Sequence, residues 1–260
     1  QRIASTVDEL AARGLRVHPI DIGRRASNPF AEMRAIYQVW RIYRSEQPAL
    51  VHHVALKPIV FGTLAAKLAR VRRIVNAPVG MGFVFASSSL LARALRPSLR
   101  LALRLLLNPR GSRVVFENPD DLEAAVGDGF VRREETALIR GAGVDLEAFR
   151  ASPEPPGPPA IVLVARMLRE KGVGVFVEAA GMLRKSGLDA RFLLVGGPDP
   201  GNPGSIPEAQ LRGWEQEGAV EWLGHRSDIP AILEHASIVC LPSYREGLPK
   251  SLLEALAAGR

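Results

Sequence analysis

Short apolar runs alternate with helical patterns along nearly the whole chain, and this alternation constrains the fold more than any other feature. Strands are predicted at residues 15–20, 50–53, 73–76, 113–116, 136–140, 160–165, 191–195, 220–223 and 237–241. Helices are predicted between them, at residues 30–43, 60–68, 90–107, 174–184 and 228–236. Because strands separated by helices form βαβ units, the sequence predicts an α/β fold with mostly parallel sheets.

One segment interrupts this alternation. Residues 152–159 include five prolines in eight positions. Proline fixes φ and lacks an amide hydrogen, so the segment can neither pair in a sheet nor continue a helix. We therefore predict a Rossmann-like domain over residues 1–151, a linker over 152–159 and a second Rossmann-like domain over 160–260. A surface loop at the edge of the linker is the alternative for the proline-rich segment. Ligands of such domains bind at the carboxyl ends of the strands.

Both ends of the chain have an unusual pattern for such domains. The chain opens with a helix pattern rather than the strand and tight turn that normally begin a doubly wound domain, and it closes on a helix C-cap, Ala258-Gly259-Arg260. We therefore expect the first strand of the N-terminal domain and the end of the C-terminal domain to be missing.

The composition limits the classes of binding partner that we expect for this chain. With 47% hydrophobic and 23% charged residues the chain is typical of a globular protein. A net charge of +7 suggests an anionic partner, which is a phosphorylated substrate, an anionic lipid or nucleic acid. Nucleic acid is the weakest of the three, because no basic stretch is interleaved with aromatic residues. A single cysteine excludes an internal disulfide and fits the cytoplasm.

The segment after the last predicted strand carries the first candidate site. Pro249 is suited to the start of a helix, so the backbone N–H groups of Gly247 and Leu248 and the positive end of the helix dipole can face a diphosphate. Glu246 and Glu254 can then reach sugar or ribose hydroxyls from one side. For the spacing alone, a loop glutamate and a helix-surface glutamate remain the simpler interpretation.

Two cations follow the strand predicted at residues 160–165. Arg166 comes directly after it, and Lys171 precedes the next helix. Arg166 can bind phosphate oxygens bidentately and Lys171 can act as a point charge, so together they can neutralise a departing nucleoside diphosphate. The alternative is a pair of solvated loop cations.

Together these segments resemble the family-4 glycosyltransferases of the GT-B fold. The matching motifs are residues 140–149, 165–172, 194–198 and 224–228, and the pair Glu246 and Glu254. The family's architecture implies two Rossmann-like domains that face each other across a cleft. It also implies a retaining enzyme that uses a nucleotide-sugar donor.

The resemblance implies a role for each matched residue. Arg166 and Lys171 would hold the diphosphate, and Glu246 would contact the transferred sugar; we predict these three as catalytic. Gly247 and Leu248 would offer backbone N–H groups, and Glu254 would bind the ribose. The residues expected to border the base are Gly196, Gly197, Pro198, Gly224, His225 and Arg226.

No metal or organic cofactor is expected. The chain has no Asp-x-Asp motif, and its five histidines, at positions 18, 52, 53, 225 and 235, have no metal-ligand spacing. The resemblance implies attack on the same face of the sugar as the leaving group. The leaving phosphate oxygen would help to deprotonate the acceptor.

The N-terminal half is predicted to bind the acceptor. Residues 50–63 resemble a subgroup that builds bacterial surface polysaccharide on a lipid-diphosphate carrier, and residues 76–85 resemble its glycine-rich loop. The acceptor-binding candidates are His52, His53, Lys57, Gly80 and Gly82. For His52, a packed histidine of the sheet is an equally supported alternative. Many relatives carry a histidine after the strand that here ends near residue 76, and this chain has none.

Residues 90–107 predict a basic amphipathic helix. Arginines share one face and leucines another: Arg93, Arg96, Arg100 and Arg104 against Leu91, Leu95, Leu99, Leu103 and Leu106. Such a helix can bind an anionic leaflet. An ordinary domain helix with its leucines inward is the alternative. We therefore predict a cytoplasmic protein, with peripheral association at the inner face of the cytoplasmic membrane as a hypothesis.

The leading hypothesis is transfer of a hexose or N-acetylhexosamine from a UDP-linked donor to a lipid-diphosphate-linked saccharide in bacterial polysaccharide biosynthesis. Alternatives are a sugar-nucleotide epimerase of the same fold and a catalytically inactive nucleotide-sugar-binding or scaffold protein. No segment marks an epimerase, and the four donor-side residues Arg166, Lys171, Glu246 and Glu254 argue against an inactive protein.

Overall fold

The computed structural model describes residues 2–20, 28–79, 90–141 and 143–260. The chain divides into two compact units, Gln1–Ile139 and Arg140–Arg260. This division falls before the proline-rich segment rather than at it. The reason is that Ser152 is tied to the second unit: the Arg260 guanidinium donates to the Ser152 carbonyl and hydroxyl oxygens, at 2.8 Å each. The segment expected to begin a linker is therefore fixed where it starts.

The first unit is an α/β unit around a parallel sheet. Its described helices are α1 (Arg2–Ala12), α2 (Pro29–Glu46), α3 (Leu56–Ala69), α4 (Leu90–Leu106) and α5 (Pro119–Gly127). Its described strands are β1 (Leu50–Val54), β2 (Arg73–Ala77), β3 (Ser112–Phe116) and β4 (Thr136–Leu138), hydrogen-bonded in that order. A 3-10 turn, Arg133–Glu135, precedes β4.

Local sequence explains how these elements begin and pack. Helices α2 and α5 each start at a proline that follows an asparagine cap; the side chain of Asn28 accepts from the Phe30 amide at 2.9 Å, and that of Asn118 from the Asp121 amide at 2.7 Å. The core between sheet and helices is apolar and fully buried, with members Ile59, Leu103, Leu107, Val114 and Phe116. It fixes α3 and α4 against β3.

The second unit has the same plan. Its strands are β5 (Ala160–Val164), β6 (Arg191–Val195), β7 (Glu221–Trp222) and β8 (Ile238–Val239), in the parallel order β7-β6-β5-β8. Its helices are α6 (Val173–Lys185), α7 (Glu208–Gln216), α8 (Ile229–Glu234) and α9 (Lys250–Ala257), with a 3-10 turn, Arg169–Lys171, before α6. β5 is uniformly apolar, as expected for an inner strand covered on both faces.

The predicted α/β class with parallel sheets is confirmed, and eight of the nine predicted strands are present to within two residues at either end. The strand predicted at residues 15–20 is wrong. That stretch has no ladder partner among the described residues, and it is held by side chains instead: the Glu46 carboxylate binds Arg16 at 2.8 Å and His18 at 3.3 Å.

Candidate active site

Two glycines allow the turns at the carboxyl ends of β5, β6 and β8 to pack against one another. The first contact is to the loop after β8, where a Cβ atom on Gly172 would lie 1.9 Å from the Pro242 carbonyl oxygen. The second is to the loop after β6, where a Cβ atom on Gly196 would lie 1.7 Å from the Ala165 carbonyl oxygen. Both glycines also have positive φ, which disfavours other residues. The sequence therefore brings the segment after β5 into contact with the loops that follow β6 and β8.

At the first of these contacts, Lys171 and Glu246 form an ion pair. The Lys171 ammonium donates to Oε1 of Glu246 at 2.6 Å, and each side chain is only about one-fifth exposed. The carbonyl of Glu170 accepts from the Tyr244 amide at 3.1 Å and from the Ser243 hydroxyl at 3.0 Å. Because backbone atoms join the two loops, the pair is held in place by more than its own attraction.

At the second contact, Arg166 meets a residue that the sequence reasoning missed. Its guanidinium donates to Oδ2 of Asp199 at 2.6 Å; the arginine side chain is 59% exposed, whereas that of Asp199 is 13% exposed. The Asp199 amide donates to the Ser205 hydroxyl at 2.9 Å, which fixes the loop after β6. An acidic residue just after the strand beside β5 was the available signal.

Helix α9 presents its amino end next to Glu246. It begins at Lys250, with Pro249 at the N-cap position, one residue later than the sequence suggested. Among the described residues, the amides of Gly247 and Leu248 donate no hydrogen bond, so both can serve an anion. Glu254 lies within the helix, 13% exposed, and its carboxylate is 3.5 Å from the Lys250 ammonium.

Most residues predicted to border the base are brought together. The Gly196 amide donates to the Gly224 carbonyl at 2.8 Å, and the Gly197 carbonyl accepts from the Met167 amide at 3.0 Å. A Cβ atom on Gly197 would lie 3.6 Å from Cβ of His225. Pro198 follows in the same loop, between Gly197 and Asp199.

Arg226, which was also predicted to border the base, forms an ion pair with Asp228. Its guanidinium donates to Oδ1 of Asp228 at 2.8 Å, and this hydrogen bond lowers the pKa of the Asp228 carboxyl to about 2. The pair is nearly half exposed. A ligand contact by Arg226 therefore requires exchange of a solvated ion pair.

On the acceptor side, the two histidines of β1 point in opposite directions. His52 is exposed and His53 is 5% exposed, as alternation along a strand requires. Both histidines line a cavity of about 270 Å³, together with Pro58 and Phe61, and His52 is the exposed one of the two. The sequence analysis placed the packed-histidine alternative on His52, and the structure places it on His53.

Both ring nitrogens of His53 are occupied inside the protein. Its Nδ1 lies 2.7 Å from Oδ1 of Asn76, and its Nε2 lies 3.0 Å from the Tyr43 hydroxyl. The Asn76 amide nitrogen donates to the Leu107 carbonyl at 2.7 Å, so Oδ1 is the acceptor that receives the His53 Nδ1–H. Burial lowers the pKa of His53 and raises that of Tyr43, so both shifts favour the neutral side chains. This geometry favours a structural part for His53 and leaves His52 as the acceptor candidate.

The remaining acceptor candidates are Lys57, Gly80 and Gly82. The Lys57 ammonium lies 2.7 Å from Oε1 of Glu32 and 5.5 Å from the centroid of the Phe61 ring, so it is partly neutralised. Gly80 and Gly82 lie outside the described residues.

Helix α4 combines packing and exposure. Leu103 is fully buried in the core, whereas Leu101 and Leu105 are each more than half exposed. The Arg104 guanidinium donates to the Asp128 carbonyl at 3.2 Å, and Arg100 is exposed. The side chains of Arg93 and Arg96 are outside the described part of the chain. No helix of the described segments is long and apolar enough to cross a membrane.

Two family models match the chain. The model described as "Glycosyl transferase 4-like" matches residues 3–117, and the model described as "Glycosyl transferases group 1" matches residues 158–260. The two matches correspond to the two units and together cover most of the chain.

Curated relatives include two bacterial enzymes. One is the N,N'-diacetylbacillosaminyl-diphospho-undecaprenol alpha-1,3-N-acetylgalactosaminyltransferase of Campylobacter jejuni, 29% identical over 95% of this chain and 66% of the relative. The other is the UDP-Gal:alpha-D-GlcNAc-diphosphoundecaprenol alpha-1,3-galactosyltransferase of Escherichia coli, 26% identical over 88% of this chain and 60% of the relative. The chain thus spans slightly under two thirds of the length of these relatives.

Solved structures agree in fold. Anabaena Alr3699/HepE, solved in complex with UDP and glucose, is similar with a TM-score of 0.74 at 18% identity, over 97% of this chain and 68% of the other. WaaG, a glycosyltransferase involved in lipopolysaccharide biosynthesis, is similar with a TM-score of 0.65 at 16% identity, over 99% of this chain and 74% of the other. These neighbours show the GT-B fold, and the two family-model matches show that the chain belongs to the family-4 glycosyltransferases.

Proposed function

We propose that the protein transfers a sugar from a UDP-linked hexose or N-acetylhexosamine to a lipid-diphosphate-linked saccharide, with retention of configuration. The observation that carries the proposal is one cluster in the second unit. The Lys171–Glu246 ion pair lies beside the backbone amides of Gly247 and Leu248, which donate no hydrogen bond among the described residues. A cation and two N–H groups at the start of a helix form a site suited to a diphosphate.

The donor chemistry follows from these charges. In the free protein, Glu246 neutralises Lys171. A diphosphate competes for the Lys171 ammonium, and that exchange frees the Glu246 carboxylate to accept hydrogen bonds from sugar hydroxyls. Arg166, already exposed, supplies the second cation to the leaving phosphate oxygens. We infer that these fixed cations stabilise the departing diphosphate without a metal ion or an organic cofactor.

The acceptor is inferred from the relatives and from the first unit. Both curated relatives are named for diphosphoundecaprenol-linked saccharide acceptors. We assign the acceptor contact on β1 to His52, which faces the 270 Å³ cavity. We further infer that α4, with exposed Arg100, Leu101 and Leu105, contacts an anionic membrane surface from the cytoplasmic side. Nucleic acid is not among the proposed partners.

The test is a transfer assay of the chain with four donors: UDP-glucose, UDP-galactose and their N-acetyl forms. The acceptor is a short-chain polyprenyl-diphosphate N-acetylhexosamine, and products are identified by mass spectrometry and by the anomeric coupling constant in NMR. We expect one donor to give an α-linked disaccharide lipid, with Lys171→Ala about 10²–10³-fold less active and Lys185→Ala as active as wild type. Lys185 is an exposed matched lysine at the end of α6.

Two outcomes would replace the proposal. Conversion of a UDP-sugar to a different UDP-sugar without acceptor would identify an epimerase. Saturable donor binding that depends on Lys171, without transfer to any lipid-linked acceptor in the panel, would favour a nucleotide-sugar-binding protein without catalysis. Saturation-transfer NMR with the same donors, comparing wild type with a Glu246→Ala/Lys171→Ala variant, measures that binding directly.

A further inference from the structure

A second concave surface lies in the first unit, at the end of the sheet where β1 and β2 begin. It has a volume of about 620 Å³ and is formed by the last turns of α2 and α3 with the starts of these two strands. Pockets for small molecules span roughly 300–1,000 Å³. The predicted acceptor contact, His52, lines a different cavity, so this surface is not the acceptor site proposed above.

Four arginines line the pocket: Arg44, Arg70, Arg72 and Arg73. Within the described residues, none of their guanidinium groups has an ion pair or a side-chain hydrogen bond. The nearby carboxylate of Glu46 is occupied by Arg16 and His18 and does not neutralise them. Some arginines elsewhere, such as Arg191, are paired with carboxylates. The pocket therefore concentrates positive charge that the protein leaves uncompensated.

Complementarity to helix ends explains only part of this charge. Arg44 lies in the last turn of α2 and Arg70 caps α3, where carbonyl groups attract cations. Arg72 and Arg73 come after the helix and have no such reason. Arg70 also has a left-handed backbone, with φ of 60°, at a position that glycine would occupy more readily. A cation is thus present where the backbone alone would favour glycine.

We propose that this pocket binds a small anion with two or more phosphoryl groups. Guanidinium groups bind phosphate oxygens bidentately, and four of them around one concavity exceed what a singly charged anion would need. Leu50 and Val71 add apolar surface to the lining, which leaves room for an organic portion of the ligand. The proposal does not depend on sugar transfer, because its residues belong to the first unit and the donor residues to the second.

The test is an NMR titration of the deuterated, ¹⁵N-labelled chain with inorganic diphosphate at constant ionic strength. We expect saturable shifts at the amides of Gln47 and of residues 70–73, resolved from any shifts at Gly172 and Gly247 in the donor site. Arg72→Gln/Arg73→Gln should weaken the binding at these pocket amides about tenfold or more. The matched control, Arg34→Gln/Arg150→Gln, removes the same charge from exposed positions outside the pocket and should leave the affinity unchanged.

Three results would overturn the proposal. The first is movement of the donor-site amides alone. The second is an equal loss of affinity in the control pair, which would indicate nonspecific attraction to a basic protein. The third is a response of the pocket amides to phosphatidylglycerol vesicles but not to soluble diphosphate, which would make this face a lipid-contacting surface. Unchanged thermal unfolding of both double variants establishes that they are folded, since the replaced side chains are exposed.

Discussion

Two polar clusters, one in each unit, show how similar groups serve different ends. In the second unit, Lys171 and Glu246 are partly exposed. The backbone amides of Gly247 and Leu248 lie beside them and donate no hydrogen bond among the described residues. In the first unit, His53 and Asn76 are almost fully buried, and every polar atom of the network has a partner inside the protein. The comparison teaches that remaining hydrogen-bonding capacity, rather than the presence of titratable groups, distinguishes a site from a scaffold.

Of the variants considered, replacement of Lys171 should have the largest effect on activity. Lys171→Ala removes a cation from the proposed diphosphate site, and we expect transfer kcat/KM to fall about 10²–10³-fold. The free energy of unfolding should fall only modestly, because the Glu246 carboxylate, about one-fifth exposed, can be hydrated once Lys171 is removed. Steady-state assays with Lys185→Ala as the matched control measure the effect. A Lys171→Ala protein as active as that control would contradict the assignment.

The opposite behaviour is expected at Asn76. Asn76→Leu leaves the His53 Nδ1–H and the Leu107 carbonyl without partners in the core, so the free energy of unfolding should fall by about 2–4 kcal/mol. UDP-sugar binding below the unfolding transition should persist. Urea unfolding of the single variants and of His53→Phe/Asn76→Leu measures the coupling. Strictly additive losses would show that the two side chains do not act as one network.

Within the proposed donor site, a further prediction concerns Asp199, which is paired with Arg166. Asp199→Asn removes the carboxylate that competes with phosphate for Arg166, and we expect UDP to bind about two- to fivefold more tightly. Calorimetry measures this, with Glu221→Gln as the control because it releases Arg191, outside the proposed site, in the same way. Weaker UDP binding would instead mean that Asp199 is needed to orient Arg166.

The smallest effect is the pH dependence of the first unit. Burial holds the pKa of His53 below its ordinary value of 6.5, so the folded protein binds fewer protons than the unfolded chain. Stability is therefore full above pH 6.5 and is lost as the pH falls below it toward the folded pKa. Unfolding at pH 7 and pH 5 should show a smaller loss for His53→Phe than for wild type. An identical loss in both proteins would assign the dependence to other groups.

Much of the fold could be predicted from local sequence. Apolar runs such as 191–195 and the asparagine-proline starts of α2 and α5 determine their elements within a few residues. The contact between Lys171 and Glu246 joins the segments after β5 and β8. It follows from one rule, that the carboxyl ends of neighbouring parallel strands share an edge.

What could not be predicted depends on tertiary partners. The pairing of His53 with Asn76 needs the register of β1 against β2, and that of Arg166 with Asp199 needs the path of the loop after β6. The strand predicted at residues 15–20 failed because a strand needs a neighbour, which its own residues cannot specify. The roles of the candidate residues in binding and chemistry stay predictions.

The position of β8 also bears on the order in which the protein is made. Ala160 is hydrogen-bonded to Ser237, which follows it by 77 residues in the sequence. Lys171 is paired with Glu246, which follows it by 75 residues. A ribosome releases the chain from its amino end, so β5 and β6 can associate well before β8 exists. During that interval one edge of β5 is unpaired and Lys171 has no counterion from Glu246. The Lys171–Glu246 pair of the proposed donor site therefore cannot form until residue 246 has been synthesised.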